Sequence, residues 1–135
     1  MKIIGHPWIE SDRFIVVSSV DEIKKSPAAS ILLFKDIGHS IKLLHYCRDE
    51  GLPFAVETKE LKSMLFAHAL GARYILVGAK EAEAFQALAQ HYLFDTEILV
   101  SIDEESEIES YAKMGIDGVI FASFIQRSGE YNDAQ

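Results

Sequence analysis

The sequence predicts an α/β domain built on a mainly parallel sheet of five or six strands with flanking helices. Three stretches indicate this, because each runs from a helix-like segment through a glycine into a short apolar run: EGLPFAVET from Glu50, LGARYILVG from Leu70 and MGIDGVIFAS from Met114. The apolar runs lack clean alternation with polar residues, which is typical of parallel strands buried on both faces. Two architectures satisfy the pattern: a flavodoxin-like three-layer domain, and half of a βα barrel with helices on one face only.

The chain length sets the number of domains. The 135 residues allow one domain, which we expect to span residues 1–125, followed by a polar tail at residues 126–135 that we expect to be flexible. A complete eight-stranded βα barrel needs about 200 residues or more, so one copy of this chain is expected to be too short to close such a barrel alone.

Strands and helices are expected to alternate along the chain. Segments rich in Ile, Val, Leu and Phe predict strands at 14–17, 30–35, 54–57, 74–77, 97–102 and 118–121, with 2–4 as a short candidate. The first helix begins with the capping-box spacing of Ser19 and Glu22 and ends before Pro27. Further helices are expected at 40–50, 60–70, 80–92 and 103–114, and Gly51 and Gly71 have the positions of C-terminal glycines.

The charge balance is acidic and unevenly distributed. With 13 basic and 21 acidic residues the formal net charge is −8, which argues against a phosphate-backbone footprint, so nucleic-acid binding is not expected. The excess concentrates at the start of the fifth predicted helix, in Asp103, Glu104, Glu105, Glu107 and Glu109. A cation or a basic partner would suit such a cluster. Carboxylates near a helix N-terminus also complement the helix dipole, with Asp103 as the expected cap, and we favour that interpretation.

Several function classes are disfavoured by what the sequence lacks. Cys47 is the only cysteine, which excludes an intramolecular disulfide and favours a reducing compartment such as the cytoplasm. The N-terminal residues carry a proline and charges where a signal peptide needs an apolar core, and no apolar run approaches the 18 residues of a membrane span. No glycine-rich nucleotide motif follows a strand, and the histidines lack metal-binding spacing, so neither a cofactor nor a metal is expected.

A site is expected beyond the carboxyl ends of the predicted strands, where parallel α/β sheets and barrels bind ligands. Polar residues follow the strands at this edge. We take Lys35, Glu57 and Lys59 as candidate catalytic residues, because a lysine beside a carboxylate can transfer a proton or form an imine. The candidate ligand contacts are Asp36, His39, Lys80, Ser101 and Ser123. The alternative interpretation is that these residues are polar only because strand ends are exposed to solvent in any such fold.

One segment carries a family resemblance. MGIDGVIFASFI, from Met114 to Ile125, resembles the late strand of phosphate-binding βα barrels of the tryptophan synthase α-subunit type. The residues that fit its G-x-D-G-V-x-x-G-S-like run are Gly115, Asp117, Gly118, Val119 and Ser123, whereas Ala122 stands where that family has a glycine. The resemblance implies a phosphate bound at a small-residue turn after the strand, with backbone N–H groups as donors.

The third predicted helix, from Leu61 to Leu70, is apolar nearly all the way round. Such a helix is either covered by its neighbours or buried against another molecule. We expect a symmetric homodimer that uses Met64, Phe66 or Leu70. The functional hypothesis is therefore a cytoplasmic, non-catalytic module that self-associates and either docks a partner or binds a small anion. The alternative is a small enzyme of the phosphate-binding βα-barrel type that acts on an anionic metabolite.

Overall fold

Eight parallel strands and five helices make up the part of the chain that the computed structural model describes, residues 1–130. The strands are β1 Lys2–Ile4, β2 Phe14–Val16, β3 Ile31–Phe34, β4 Phe54–Glu57, β5 Tyr74–Val77, β6 Glu97–Ile102, β7 Gly118–Phe121 and β8 Gln126–Arg127. The helices are α1 Val20–Lys25, α2 Ile37–Glu50, α3 Leu61–Ala69, α4 Ala79–His91 and α5 Ile108–Lys113. Short 3₁₀ turns at Glu105–Glu107 and Ala122–Phe124 precede α5 and β8.

The strand order is β1-β7-β6-β5-β4-β3-β2-β8, and every neighbouring pair is parallel. The expected count of five or six strands is too low, because a short strand lies at each edge. β1 pairs with β7 after the chain has completed six further strands, and β8 pairs with β2 through Ile15 with Gln126 and Val16 with Arg127. The tail predicted from residue 126 thus begins in an edge strand, and its residues 131–135 lie outside the described part of the chain.

The two faces of the sheet are packed in different ways. On the outer face, every helix contributes at least one buried residue to a single apolar cluster, including Ile23, Leu44, Met64, Phe85 and Tyr111. The inner face contains buried residues from strands alone: Ile4, Phe14, Ile31, Leu33, Ala55, Tyr74, Leu76, Leu99 and Ile120. Because all five helices contribute to the outer cluster alone, the sheet is a curled half-barrel, the second of the two architectures left open by the sequence.

The curl brings distant strands into contact across the inner face. The rings of Phe14 on β2 and Tyr74 on β5 lie 5.5 Å apart, although two strands separate them in the sheet. Gly118 at the start of β7 has no room for a side chain, because a Cβ there would lie 2.7 Å from Leu99 Cδ2 and 3.0 Å from Lys2 Cβ. Within residues 1–130, pairing between neighbours stops at β1 and β8, so in this part of the chain hydrogen bonds do not close the curl into a full barrel.

Polar contacts close the amino end of this curled sheet. The Lys2 ammonium group lies 2.7 Å from Glu97 Oε1 and donates a 2.9 Å hydrogen bond to the Tyr74 hydroxyl. These contacts raise the pKa of Lys2, the Glu97 carboxylate first and Tyr74 second.

Local signals set most of the helix ends, although α2 begins at Ile37 rather than at residue 40 and α5 begins at Ile108 rather than at residue 103. The Ser19 hydroxyl accepts the Glu22 N–H at the start of α1, and Gly51 ends α2 in the left-handed conformation with φ of 69°. The 3₁₀ turn that precedes α5 is capped by Glu104 rather than by the expected Asp103, because Glu104 and Glu107 form a reciprocal capping box, and Glu107 is the N-cap residue of α5 itself. None of the helices within residues 1–130 has the length and hydropathy needed to span a bilayer.

Candidate functional site

A cleft of about 450 Å³ opens at the carboxyl ends of β3, β4, β5 and β6. We call it the rim cleft. Its lining comprises Lys35, Asp36, Ile37, Glu57, Thr58, Lys59, Glu60, Ser63, Leu76, Val77, Gly78 and Ser101. The buried Leu76 belongs to the inner apolar cluster and is part of the lining, so polar side chains surround an apolar base. This combination of an apolar base with a few convergent polar groups is typical of small-molecule sites.

The register of β3 and β4 places Lys35 beside Glu57. Phe34 pairs with Val56, so the residues that follow them, Lys35 and Glu57, are paired neighbours whose side chains both face the inner side of the sheet. Glu57 is half-buried and Lys35 is exposed. Within residues 1–130 neither side chain has an ion-pair or hydrogen-bond partner, although they are neighbours of opposite charge. Both groups are therefore available to a ligand.

Two helices begin at the rim cleft without a side-chain cap. Glu60 at the N-cap of α3 and Gly78 at the N-cap of α4 accept no first-turn N–H through a side chain. The Thr58 hydroxyl accepts the Glu60 N–H at 3.1 Å, just before α3. A helix N-terminus carries partial positive charge, so these open first turns favour a negative group in the cleft beside Lys59.

Asp36 has a different role at the same rim. Its carboxylate caps α2 by accepting the His39 N–H at 3.3 Å, and its second oxygen lies 2.6 Å from His39 Nδ1. The hydrogen bond to the His39 ring is the main cause of a lowered Asp36 pKa. Asp36 lines the cleft while its charge is held by His39, and the His39 ring itself stays outside the cleft.

The sequence-predicted site residues separate into two groups. Five of them line the rim cleft together: Lys35, Asp36, Glu57, Lys59 and Ser101. Three do not line it: His39, Lys80 and Ser123. Lys80 is exposed in the first turn of α4, and Ser123 is exposed in the 3₁₀ turn after β7. The sequence reasoning missed Glu60 and Ser63, which the start of α3 directs toward the cleft, and the signal was their place at a helix N-terminus next to a strand end.

The segment that resembles phosphate-binding barrels has packing roles near its start. One oxygen of the Asp117 carboxylate accepts the Ile98 N–H at 2.9 Å, and the Asp117 N–H donates to Gln86 Oε1 at 2.8 Å. These bonds fasten β6, β7 and α4 at the amino end of the sheet, opposite the rim cleft. Asp117 and Gly118 therefore stabilise the fold, and among the matching residues only Ser123 lies beyond the carboxyl end of β7.

The acidic cluster is occupied by backbone donors and by one histidine. Glu107 Oε2 accepts the N–H groups of Asp103 and Glu104 at 2.9 and 2.8 Å, which lowers the pKa of Glu107. Glu105 Oε1 lies 2.6 Å from His6 Nε2, while His6 Nδ1 accepts the Trp8 N–H. The described residues contain no group of three His, Cys, Asp or Glu side chains able to hold a metal ion. The contacts made by Glu107 fit the helix-start role.

Two further side chains that could take part in chemistry, Cys47 and His68, are instead engaged in packing contacts. Cys47 is buried in the outer cluster, and burial raises the pKa of its thiol to about 11, so the reactive thiolate is scarce at neutral pH. The His68 ring stacks on Phe94 at 3.7 Å, with Nδ1 at 2.9 Å from the Thr96 hydroxyl. Thr96 donates to the Ala72 carbonyl oxygen and so accepts from His68.

A second cavity, of about 570 Å³, lies at the amino end between β1 and residues 9–12. Lys2 in its wall already donates to the Tyr74 hydroxyl and pairs with Glu97. The Ser11 hydroxyl accepts the Gly5 N–H at 3.3 Å. Because these polar groups are committed to the fold, the rim cleft offers the better ligand site.

Fold and cleft together define the class: a curled, all-parallel α/β half-barrel with an open polar cleft at its carboxyl rim. No protein-family model matches the chain, and no curated protein is significantly similar to it.

Proposed function

We propose that this chain is a non-catalytic binding module whose ligand is a small metabolite with an anionic group, held in the rim cleft. The observation that carries the proposal is that Lys35, Glu57, Lys59 and Ser101, which come from three strand ends, line one cavity. The cavity lies at the end of a parallel sheet where ligands bind in open sheets and in barrels. A cytoplasmic location, favoured by the single buried cysteine, belongs to the same proposal.

In this proposal the anionic group lies against the two lysines. Lys35 follows β3 and Lys59 precedes the uncapped start of α3, and both side chains line the cleft. The Ser101 hydroxyl at the end of β6 can donate to the ligand or accept from it. Asp36 repels the anion less than a free carboxylate would, because His39 holds it.

Self-association through α3 is the second part of the proposal. On a helix with 100° between residues, Leu61, Leu65, Ala69, Lys62 and Phe66 fall within one continuous arc. This arc is the solvent-facing side, with Leu61 exposed by 44%, Leu65 by 40% and Phe66 by 56%. Met64, also expected at the interface, is fully buried in the core instead. Four of the five arc residues are apolar, which favours burial against a second copy of the chain.

A catalytic role is the alternative, and the unpaired neighbours Lys35 and Glu57 favour it. The lysine amine and the carboxylate could together move a proton or form an imine, while Lys59 binds the anion. Once a ligand is identified, prolonged incubation with the protein distinguishes the binding-module hypothesis from the enzyme hypothesis. An unchanged ligand supports a binding module, and a consumed ligand supports an enzyme.

The test of the proposal is a thermal-shift screen with sugar phosphates, nucleotides and carboxylic acids. A ligand at one hundred times its dissociation constant stabilises the folded state by about 2.7 kcal/mol, which raises the melting temperature by several degrees. The Lys35→Ala/Lys59→Ala double variant should lose that rise. The matched control is Lys24→Ala/Lys113→Ala, which removes two exposed lysines on α1 and α5 and should keep it. If saturating ligands leave the melting temperature of the wild type unchanged, the proposal fails.

A further inference from the structure

The rim cleft has more carboxylates than lysines. Lys35 and Lys59 contribute two positive charges, whereas Asp36, Glu57 and Glu60 contribute three negative ones. A bare anion in this cleft would be attracted by the two lysines and repelled by the three carboxylates. The charge pattern therefore disfavours a ligand that offers negative charge alone.

The three carboxylates are not equivalent. Asp36 is engaged by the N–H and the ring of His39, and Glu60 is exposed at the helix start, where water and the positive end of α3 stabilise its charge. Glu57 is half-buried and has no hydrogen-bond or ion-pair partner among residues 1–130. It is also the neighbour of Lys35 on the inner face. Glu57 is thus the carboxylate whose acceptor oxygens a ligand must satisfy.

We infer that the ligand is a hydroxylated anion, such as a sugar phosphate, whose hydroxyl groups donate to Glu57 while the anionic group lies on Lys35 and Lys59. The inference rests on the proposed function and adds the chemical class of the ligand. A carboxylate accepts hydrogen bonds and donates none, so it selects for hydroxyl groups next to the anion. The 450 Å³ of the cleft suits a ligand of this size.

Ser101 and Leu76 are the two further lining residues that favour a hydroxylated ligand. Ser101 is the last residue but one of β6, and Val77 pairs with Val100, so Ser101 is the neighbour of Gly78 on the inner face. Gly78 has no side chain to fill the cleft, and Leu76 supplies an apolar surface below it. A polyol that spans from Lys35 toward Ser101 would place hydroxyl groups along the polar wall and its carbon chain over Leu76.

The experiment measures binding by calorimetry for matched pairs of phosphates that differ in their hydroxyl groups. The pairs are glucose 6-phosphate with hexyl phosphate, ribose 5-phosphate with pentyl phosphate, and glycerol 3-phosphate with propyl phosphate, with inorganic phosphate as the common reference. For at least one pair we expect the hydroxylated member to bind about tenfold to a hundredfold more tightly, the range for hydrogen bonds to a charged group.

Variants at Glu57 connect that preference to the carboxylate. Glu57→Ala should reduce the preference to about twofold or less while inorganic phosphate binds at least as tightly as before, because a repulsive charge is gone. Glu57→Gln, which keeps one acceptor oxygen, should retain part of the preference and checks that the site stays folded. Lys35→Ala should weaken both members of each pair by a similar factor.

The outcomes separate the inference from the proposed function. If alkyl phosphates bind as tightly as their hydroxylated partners, or if Glu57→Ala keeps the full preference, the hydroxyl inference is overturned and anion binding stands. If no phosphate of either kind binds the wild type, the anion site itself is overturned, and the inference falls with it.

Discussion

The Lys2 ammonium group at the start of β1 donates a 2.9 Å hydrogen bond to the Tyr74 hydroxyl at the start of β5. Two strands, β7 and β6, lie between them in the sheet, so only a strongly curled sheet brings the two side chains together. The Tyr74 ring also packs on Phe14 at 5.5 Å, which ties the other half of the sheet to the same point. Tyr74 is thus the residue where the inner face closes at its amino end.

Tyr74→Phe should lower the free energy of unfolding by about 1 kcal/mol, because it removes one hydrogen bond to a charged donor and keeps the ring packing. Urea unfolding at neutral pH measures this difference. Tyr92→Phe is the matched control, since Tyr92 is exposed by 62%, and it should change stability by a few tenths of a kcal/mol at most. Equal stability of Tyr74→Phe and the wild type would show that the contact contributes nothing to closure.

Gly118→Ala should destabilise the fold by about 1–3 kcal/mol, because the new Cβ would overlap Leu99 and the Lys2 backbone and side chain. Gly38→Ala is the control. It lies in the first turns of α2, where the nearest atom to a new Cβ is Asp36 Oδ1 at 3.5 Å, and it should be neutral or stabilising. A Gly118→Ala variant as stable as the wild type would mean that β1, β6 and β7 pack less closely than described.

Glu107 should make stability depend on pH in the acid range. Its carboxylate accepts two backbone N–H groups, so its folded pKa lies below the ordinary value of 4.5. A carboxylate whose pKa is lowered by folding stabilises the protein at pH values above its unfolded-state pKa. This stabilisation is lost as the pH falls through its folded-state pKa. Glu107→Gln should therefore be less stable than the wild type at pH 7, and the difference should shrink steadily below pH 4.5. A difference that stays constant from pH 7 to pH 3 in urea titrations would contradict this role.

Phe66→Glu should convert a dimer into folded monomers, because the glutamate places a charge at the most exposed apolar position of the α3 arc. Light scattering coupled to size exclusion measures the mass, and circular dichroism checks folding. Ala84→Glu, an exposed change on α4, is the control and should leave the dimer intact. A monomeric wild type, or a Phe66→Glu dimer of unchanged mass, would remove α3 as a self-association surface.

Local patterns were sufficient to predict most of the fold. β4, β5, β6 and β7 have the predicted bounds, because each is a mainly apolar run that follows a turn. β8 was not predicted, because Gln126 and Arg127 are polar. They form a strand only because the curl of the sheet places them beside β2. The choice between three layers and a half-barrel was equally out of reach, because both faces of the central strands are apolar and only their partners differ.

The candidate site was predicted in part, for a reason that individual residues make clear. The rule that ligands bind at strand carboxyl ends selects Lys35, Glu57 and Ser101, whose inward direction follows from strand alternation. It fails for Ser123, where the chain enters a 3₁₀ turn, and for His39, which turns back to Asp36. The direction of a residue past the strand end depends on the turn that follows, and spacing alone does not encode it.

The most direct measurement is a ¹⁵N–¹H correlation spectrum of the wild type during titration with a hydroxylated phosphate such as ribose 5-phosphate. We expect saturable amide shifts in residues 35–37, 57–63, 76–78 and 101, with the amides at the amino end of the sheet unchanged. Absence of shifts at millimolar ligand, or shifts confined to the cavity between β1 and residues 9–12, would contradict a ligand site in the rim cleft.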